Sequence, residues 1–435
     1  LVLAVAAASF AVAYVGTPRL VPLLVLALLG GALVLWRPEI GLFAMLAVLV
    51  IKPDAIQGLG IVGPNTLLSV VLAAVLFVGM LSGGQHHDFV KSNQIRAFVA
   101  IGLVMALNWA LAGRTAAPGS LADLDYTGRA LYRYVIHLSL LVFLIAFIRT
   151  RQQLLALTAL FIVGIVVTVP GALSGASEGA ARSVEALRAA AVSGVRSAEN
   201  ANRLAFMCLM GISITWFALQ HYRSLLLRLA GSALILVLLF TVFRSGSRSG
   251  VLNLLVLGAL ILIQSRMHPG NFGLVAIVAL VSVVGVVMLV PDAVMQRILS
   301  PFTADNQPRS VALGDAGRLA LLGTSVALAI QNPIMGVGIG NFRWMAYEQS
   351  GIAAAAHNAY ALAAAEGGIL FLGAYLALFW LTARDLGRAL RQSRQFPQIG
   401  LEWLVLATRA NLVLLLVFSL FAEAWKEFYI LLILG

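Results

Sequence analysis

Runs of roughly 15 or more apolar residues recur along the whole of this chain, and they limit its possible folds more than any other feature. A helix needs about 20 mainly apolar residues to cross the hydrocarbon core of a bilayer. In lipid every backbone N–H and C=O must be satisfied within the protein, so only helices and closed barrels span it. The runs lack the strict alternation of a barrel strand. With 61% hydrophobic and 11% charged residues and a mean hydropathy of +0.99, the chain reads as an all-α, polytopic integral membrane protein.

Spans are predicted near 1–16, 20–36, 39–51, 65–82, 96–113, 130–148, 153–172, 200–219, 225–243, 249–265, 271–290, 357–383 and 401–420, with a partial segment at 428–435. The expected count is therefore about 12–14 transmembrane helices in a single domain, 1–435. The sequence begins at Leu1 without Met or a basic leader, so the extreme N-terminus is expected to be missing, and no cleavable signal is read. The single cysteine, Cys208, falls in a span, where it reads as a small buried apolar residue.

The charges concentrate in a polar island of about 65 residues, 291–356, which carries Arg297, Arg309, Arg318 and Arg343 and leads into His357. We expect it to form a long loop, containing short helices, that caps the membrane domain. Basic connectors at Arg149–Arg151, Arg223–Arg228, Arg266 and Arg384–Arg394, with Arg37, Lys91 and Arg96, fall on one side of the span list. The excess of basic residues on cytoplasmic loops assigns that side to the cytoplasm. The opposite side, with loops 113–129, 173–199, 244–248 and 291–356, is also rich in arginine. Of 29 basic residues only Lys52, Lys91 and Lys426 are lysine. Guanidinium forks bind phosphate bidentately and stay charged at any relevant pH. Arginine-rich coding and snorkelling to lipid headgroups account for many of them, but not for arginines set in tight polar motifs next to a lone histidine.

Four such motifs converge on the outward side. Phe243-Arg-Ser-Gly-Ser-Arg-Ser-Gly250 separates two spans with almost no loop, which puts Arg244 and Arg248 at the membrane surface; a functional role competes there with a structural hairpin. Gly314-Asp-Ala-Gly-Arg318 precedes an apolar stretch to Ala329, with Asp315 placed to cap a helix that starts near Arg318. That helix is read as interfacial rather than spanning. The Asn332-Pro-Ile-Met-Gly-Val-Gly-Ile-Gly-Asn-Phe342 run beyond it reads as a tight turn more than as a phosphate loop. His357-Asn358-Ala-Tyr360 opens the next span, with Glu366 about 2.5 turns further in. A carboxylate inside the membrane marks a functional group or a structural pair, and His357 suits a general base near neutral pH. Finally, Ser197-Ala-Glu-Asn-Ala-Asn-Arg203 opens the span at 200, where Arg196 and Arg203 offer phosphate or sugar contacts and helix capping is the competing reading. No phosphate-binding Walker loop or Cys/His cluster occurs, and metal-independent chemistry on a preactivated substrate is expected, with no cofactor.

In that order and on one side, Ser247-Arg248, Gly317-Arg318, the 332–342 run and the His357-Asn-x-Tyr…Glu-x-Gly…Gly373 motif resemble the O-antigen ligase/polymerase superfamily over roughly 200–380. The first 200 residues match only as a hydrophobic scaffold. The resemblance implies an inner-membrane glycosyltransferase that uses glycans on undecaprenyl pyrophosphate at the periplasmic face. The acceptor is a lipid A–core sugar in the ligases and another repeat unit in the polymerases. It further implies that Arg248 and Arg318 neutralise the leaving pyrophosphate, that His357 is the general base, and that the anomeric carbon inverts. Arg196, Arg203, Arg244, Asn358 and Tyr360 are the substrate contacts expected alongside them. Membrane lipids are expected partners; nucleic acid is not. Ligase leads because the paired arginine and distant-glycine spacing of two polymerase loops is missing. Polymerase, protein O-oligosaccharyltransferase and a lipid or solute transporter stand as alternatives.

Overall fold

The computed structural model describes residues 33–34, 36–51, 64–81, 91–111, 126–174, 201–264, 309–351, 354 and 356–422. The spans read at 1–16 and 271–290 lie outside them. Twelve α-helices and one short 3₁₀ turn make up the described part, with no strand among the described residues. They are α1 (Pro38–Ile51), α2 (Pro64–Leu81), α3 (Asn93–Leu111), α4 (Tyr126–Phe147), α5 (Arg151–Ser174) and α6 (Ala201–His221). The second half holds α7 (Leu225–Arg244), α8 (Arg248–Gln264), α9 (Arg309–Gln331), α10 (Phe342–Ser350), α11 (Ala359–Gln395) and α12 (Glu402–Phe418). Among them α6, α7 and α11 are long and apolar enough to cross a membrane, and α1–α5, α8 and α9 contribute shorter apolar stretches. The chain is a helical membrane protein.

Helix α6 is the centre of the bundle. It packs against α7, α12, α8 and α5, and 83% of its apolar window is buried. Phe206 stacks on Phe418 of α12 at 4.5 Å. Gly250 lets α8 approach closely, because a Cβ there would meet the Ala205 Cβ at 2.7 Å. By contrast α7 turns Leu226 and Leu229 outward, as a lipid-facing helix does.

Helix α11 is broken in mid-course. Gly368 takes φ 63°, ψ −162°, which only glycine adopts readily. The Ile369 N–H therefore leaves the helical ladder and donates to Pro333 O at 2.8 Å. The carbonyls stranded at the break are taken up by the turn after α9: Val337 N donates to Ala365 O (2.8 Å) and Gly338 N to Glu366 O (3.0 Å). Asn108 of α3 closes the latch from the other side. It is 1% exposed; its Oδ1 accepts from Ile339 N at 2.8 Å, and its amide donates to Met335 O and to Glu366 O. The glycines of the 332–342 run thus serve a tight turn against α11.

Two expectations need correction. The 291–356 island is not a loop with short helices alone, since α9 runs 23 residues from Arg309. Asp315 consequently lies within that helix rather than at its N-cap, and Arg318 sits in its third turn. Packing against α11 carries α9 through Gly314 and Gly317 despite their weak helix propensity.

The latch tolerates no side chain at its centre. A Cβ on Gly368 would lie 2.3 Å from Ile334 O, and one on Gly336 would lie 2.4 Å from the Glu366 carbonyl carbon. We predict that Gly368→Ala destabilises the protein by about 3 kcal/mol or more, from positive-φ strain and overpacking together. Gly373→Ala, which meets nothing within 4 Å, should be neutral. Size-exclusion profiles and thermal midpoints of the purified variants in detergent check both.

Candidate active site

The polar residues singled out by the four motifs sit at or near helix termini, where backbone groups lack intrahelical partners. At the α7–α8 corner the serines are buried and hold the turn. Ser245 Oγ donates to Val242 O (2.6 Å) and accepts from Ser247 N (3.3 Å). Ser247 Oγ donates to Asn202 Oδ1 of α6 (2.7 Å), accepts from Gly250 N (3.0 Å) and lies 3.0 Å from Ser249 Oγ. Gly246 makes the turn itself at φ 60°. The serines are thus structural, and they leave the two arginines of the motif flanking a rigid corner.

Arg248 is the first residue of α8 and is half-buried. Arg244 ends α7; its guanidinium carbon lies 5.9 Å from the Phe240 ring centroid, and its Nε is buried with no hydrogen-bond partner among the described residues. Arg203 is half-buried in the first turn of α6, next to the Asn202 that binds Ser247. One corner therefore gathers Arg203, Arg244 and Arg248.

The second corner is the junction of α11 and α12. Asn358 caps α11, its Oδ1 accepting from Ala361 N at 2.9 Å. Tyr360 donates its hydroxyl to Leu416 O at 2.9 Å, and Ala359 N donates to Ser419 O at 2.7 Å. These bonds fix the start of α11 to the end of α12. Just before the cap, His357 is exposed and takes φ 53°, the one positive φ among the described non-glycine residues. Such a conformation is held only where its surroundings determine it, and it gathers at functional sites. The two corners share one end of the bundle, because α6 begins and α12 ends there, joined by the Phe206–Phe418 stack.

Arg318 approaches from a third direction. Helix α9 descends beside α11, with Leu321 and Leu328 clustered around Leu362 and Ala365, to the latch level with Gly368. About 20 Å of helix separates that turn from Arg318, which brings the half-buried Arg318 roughly level with His357. Arg196 lies outside the described residues.

Glu366 is a buried part of the support below. It is 3% exposed, and its Oε1 accepts from Phe342 N at 3.4 Å at the N-terminus of α10, where a carboxylate is favoured. Sequence reasoning found the carboxylate but missed Asn108, Asn202 and Ser419, the residues that tie it and the two corners to other helices. Only Asn108, a polar residue deep in an apolar run, left a signal in the sequence.

Residues 232–376 match the family described as O-Antigen ligase. That match, over about a third of the chain, supports a relation to the O-antigen ligase/polymerase superfamily. The match runs from α7 into α11 and takes in Arg244, Arg248, Arg318, His357, Asn358 and Tyr360, whereas Arg196 and Arg203 precede it. No curated protein matches the chain. The family implies a glycan–lipid donor and an acceptor in general.

We predict that Glu366→Gln, which keeps an acceptor for the Phe342 N–H, retains a folded protein. Glu366→Ala should cost about 1–3 kcal/mol by leaving that buried donor unpaired. Thermal unfolding of the two variants side by side distinguishes them.

Proposed function

We propose that this protein is an O-antigen ligase: an inverting, metal-independent glycosyltransferase of the bacterial inner membrane with its site at the periplasmic face. It moves a glycan from undecaprenyl pyrophosphate to a sugar hydroxyl of lipid A–core. The observation that carries the reading is the placement of His357, in a strained exposed conformation, at the same end of the bundle as Arg203, Arg244 and Arg248, inside or next to the family match.

In this reading the acceptor hydroxyl oxygen attacks the anomeric carbon from the face opposite the pyrophosphate. His357 takes the hydroxyl proton as the C–O bond forms. The bond from the anomeric carbon to the phosphate oxygen breaks, and its electron pair leaves on undecaprenyl pyrophosphate. Negative charge grows on that group through the transition state, and Arg248 and Arg318 stabilise it with preorganised donors. Arg244, seated on the Phe240 ring at the same corner as Arg248, adds positive charge beside the leaving group. Asn358 and Tyr360 act mainly by holding the start of α11, and Asn358 keeps its amide N–H groups for a sugar hydroxyl. The donor carries its own driving force, so no nucleotide is consumed. The glycan lies in water while the polyprenyl tail enters between helices.

The test is a lipopolysaccharide gel from a host lacking the gene, complemented with wild type or variants. His357→Ala should lower transfer by about 10²–10⁴-fold, leaving full-length polymer on undecaprenyl pyrophosphate and bare lipid A–core. Arg248→Lys should recover little activity, because an ammonium cannot reproduce the two-pronged guanidinium contact. Lipid A–core bearing a single repeat unit in the null host would instead identify a polymerase. An unchanged ladder would turn attention to protein glycosylation or transport.

A further inference from the structure

Tyr360 and Tyr375 belong to one helix, α11, and lie 15 positions apart. In an unbroken helix about 22 Å would separate their Cα atoms, more than two tyrosine side chains can bridge. Their ring centroids are nevertheless 6.0 Å apart. The break at Gly368 therefore bends the first segment of α11, with His357 just ahead of it, toward the second. The angle of that short segment is left to whatever is packed inside the bend. Here it is the end of α12.

Ser419, directly after α12 and wholly buried, touches both segments. Its carbonyl accepts from Ala359 N of the first segment at 2.7 Å, and its Oγ lies 3.5 Å from the Tyr375 hydroxyl of the second. Ser419 Oγ donates its one proton to Leu415 O at 2.7 Å, so Tyr375 is the donor in the pair. The bond is long, but a buried hydroxyl needs a partner, and Ser419 is the one it has among the described residues. Tyr375 is 3% exposed, and Phe379, one turn along, meets its ring edge-on at 4.8 Å. Packing alone would be served as well by phenylalanine, which has no hydroxyl to desolvate. The hydroxyl is thus the first link of a chain that runs through Ser419 to Ala359, two residues beyond His357. The positive φ of His357 is of the kind that persists only where its surroundings determine it.

We propose that Tyr375 is a positioning residue for His357: its hydroxyl, acting through Ser419, sets the angle at which the first segment of α11 presents the imidazole. The inference rests on the reading of His357 as the general base. Tyr375 itself touches no substrate. Its effect falls on proton removal and not on the arginines, which a separate corner carries.

The experiment measures transfer by the purified full chain in detergent, with an undecaprenyl-pyrophosphate-linked glycan as donor and lipid A–core as acceptor. Tyr375→Phe keeps the ring and removes only the hydroxyl. It should lower kcat about fivefold, the worth of one hydrogen bond, and leave the KM for the donor unchanged. Ser419→Ala should lower kcat as well, and the double variant should be no slower than Ser419→Ala alone, because both changes remove the same bond. In a His357→Ala background Tyr375→Phe should cost nothing further, whereas in an Arg248→Lys background it should slow transfer about fivefold again. A tyrosine that only stabilises the fold would lower the thermal midpoint and leave the rate per folded molecule unchanged. That result would overturn the proposal, as would an equal fractional loss in the His357→Ala background, with the base assignment still standing. Transfer at the wild-type rate by His357→Ala alone would instead overturn the base assignment, and this inference with it.

Discussion

The break in α11 is the constraint around which the rest of this structure is arranged. Inside a bilayer a helix cannot leave its ladder without another protein group taking up each backbone N–H and C=O that it frees. The 332–342 turn supplies those partners for Ala365, Glu366 and Ile369, and Asn108 fastens the turn from α3. Three distant parts of the chain are thereby fixed at one depth. Because the latch sets where α9 ends and where the upper half of α11 points, it also sets the height of Arg318 against His357. A glycine-rich run that resembles a ligand loop in sequence serves here as a clasp.

The same constraint explains which parts of the molecule could be read from the sequence. The helical membrane architecture was legible because apolar runs are long, local signals, and α3 to α8 and α12 fall close to the predicted spans, whereas α11 continues past its span through Arg384–Arg394. The candidate arginines and His357 stood out because charge is rare in this chain. The latch was not legible: the Asn108–Ile339 bond joins residues 231 apart, and the pairing depends on where two helices happen to meet. Asn358 and Tyr360 show a second limit. A polar side chain at a helix start reads equally well as a ligand contact or as a cap, and only the structure shows its oxygen turned to Ala361 N or its hydroxyl to Leu416 O. The length of α9 was hidden for a related reason, since Gly314 and Gly317 argue locally against the helix that packing against α11 maintains.

The division of labour in the serine–arginine motif obeys the same physics. Buried hydroxyls have to be satisfied, so Ser245, Ser247 and Ser249 bond to the turn, to one another and to Asn202. An arginine at a helix terminus has a long stem that lies along apolar surface while its head reaches the edge. The serines therefore make the α6–α7–α8 corner stiff, and that stiffness is what lets Arg244 and Arg248 present charge at a defined place. In the proposed transfer such rigidity matters more than the number of charges, because donors that need not reorganise stabilise a leaving anion best.

The histidine is positioned by a different device. Its backbone is held at φ 53° by bonds made at the next three residues: the Asn358 cap, the Ala359 N–H on Ser419 O and the Tyr360 hydroxyl on Leu416 O. All three bonds tie the start of α11 to its own cap or to the end of α12, so the imidazole is carried by the α11–α12 junction and the arginines by the α6–α8 corner. The Phe206–Phe418 stack is the bridge between these two supports. In the proposed reaction one support carries the group that takes a proton and the other the groups that receive negative charge. The separation between them is then set by packing within the bundle rather than by any contact between the charged groups themselves. A site built this way can stay open to a large glycan while its reacting ends keep their spacing.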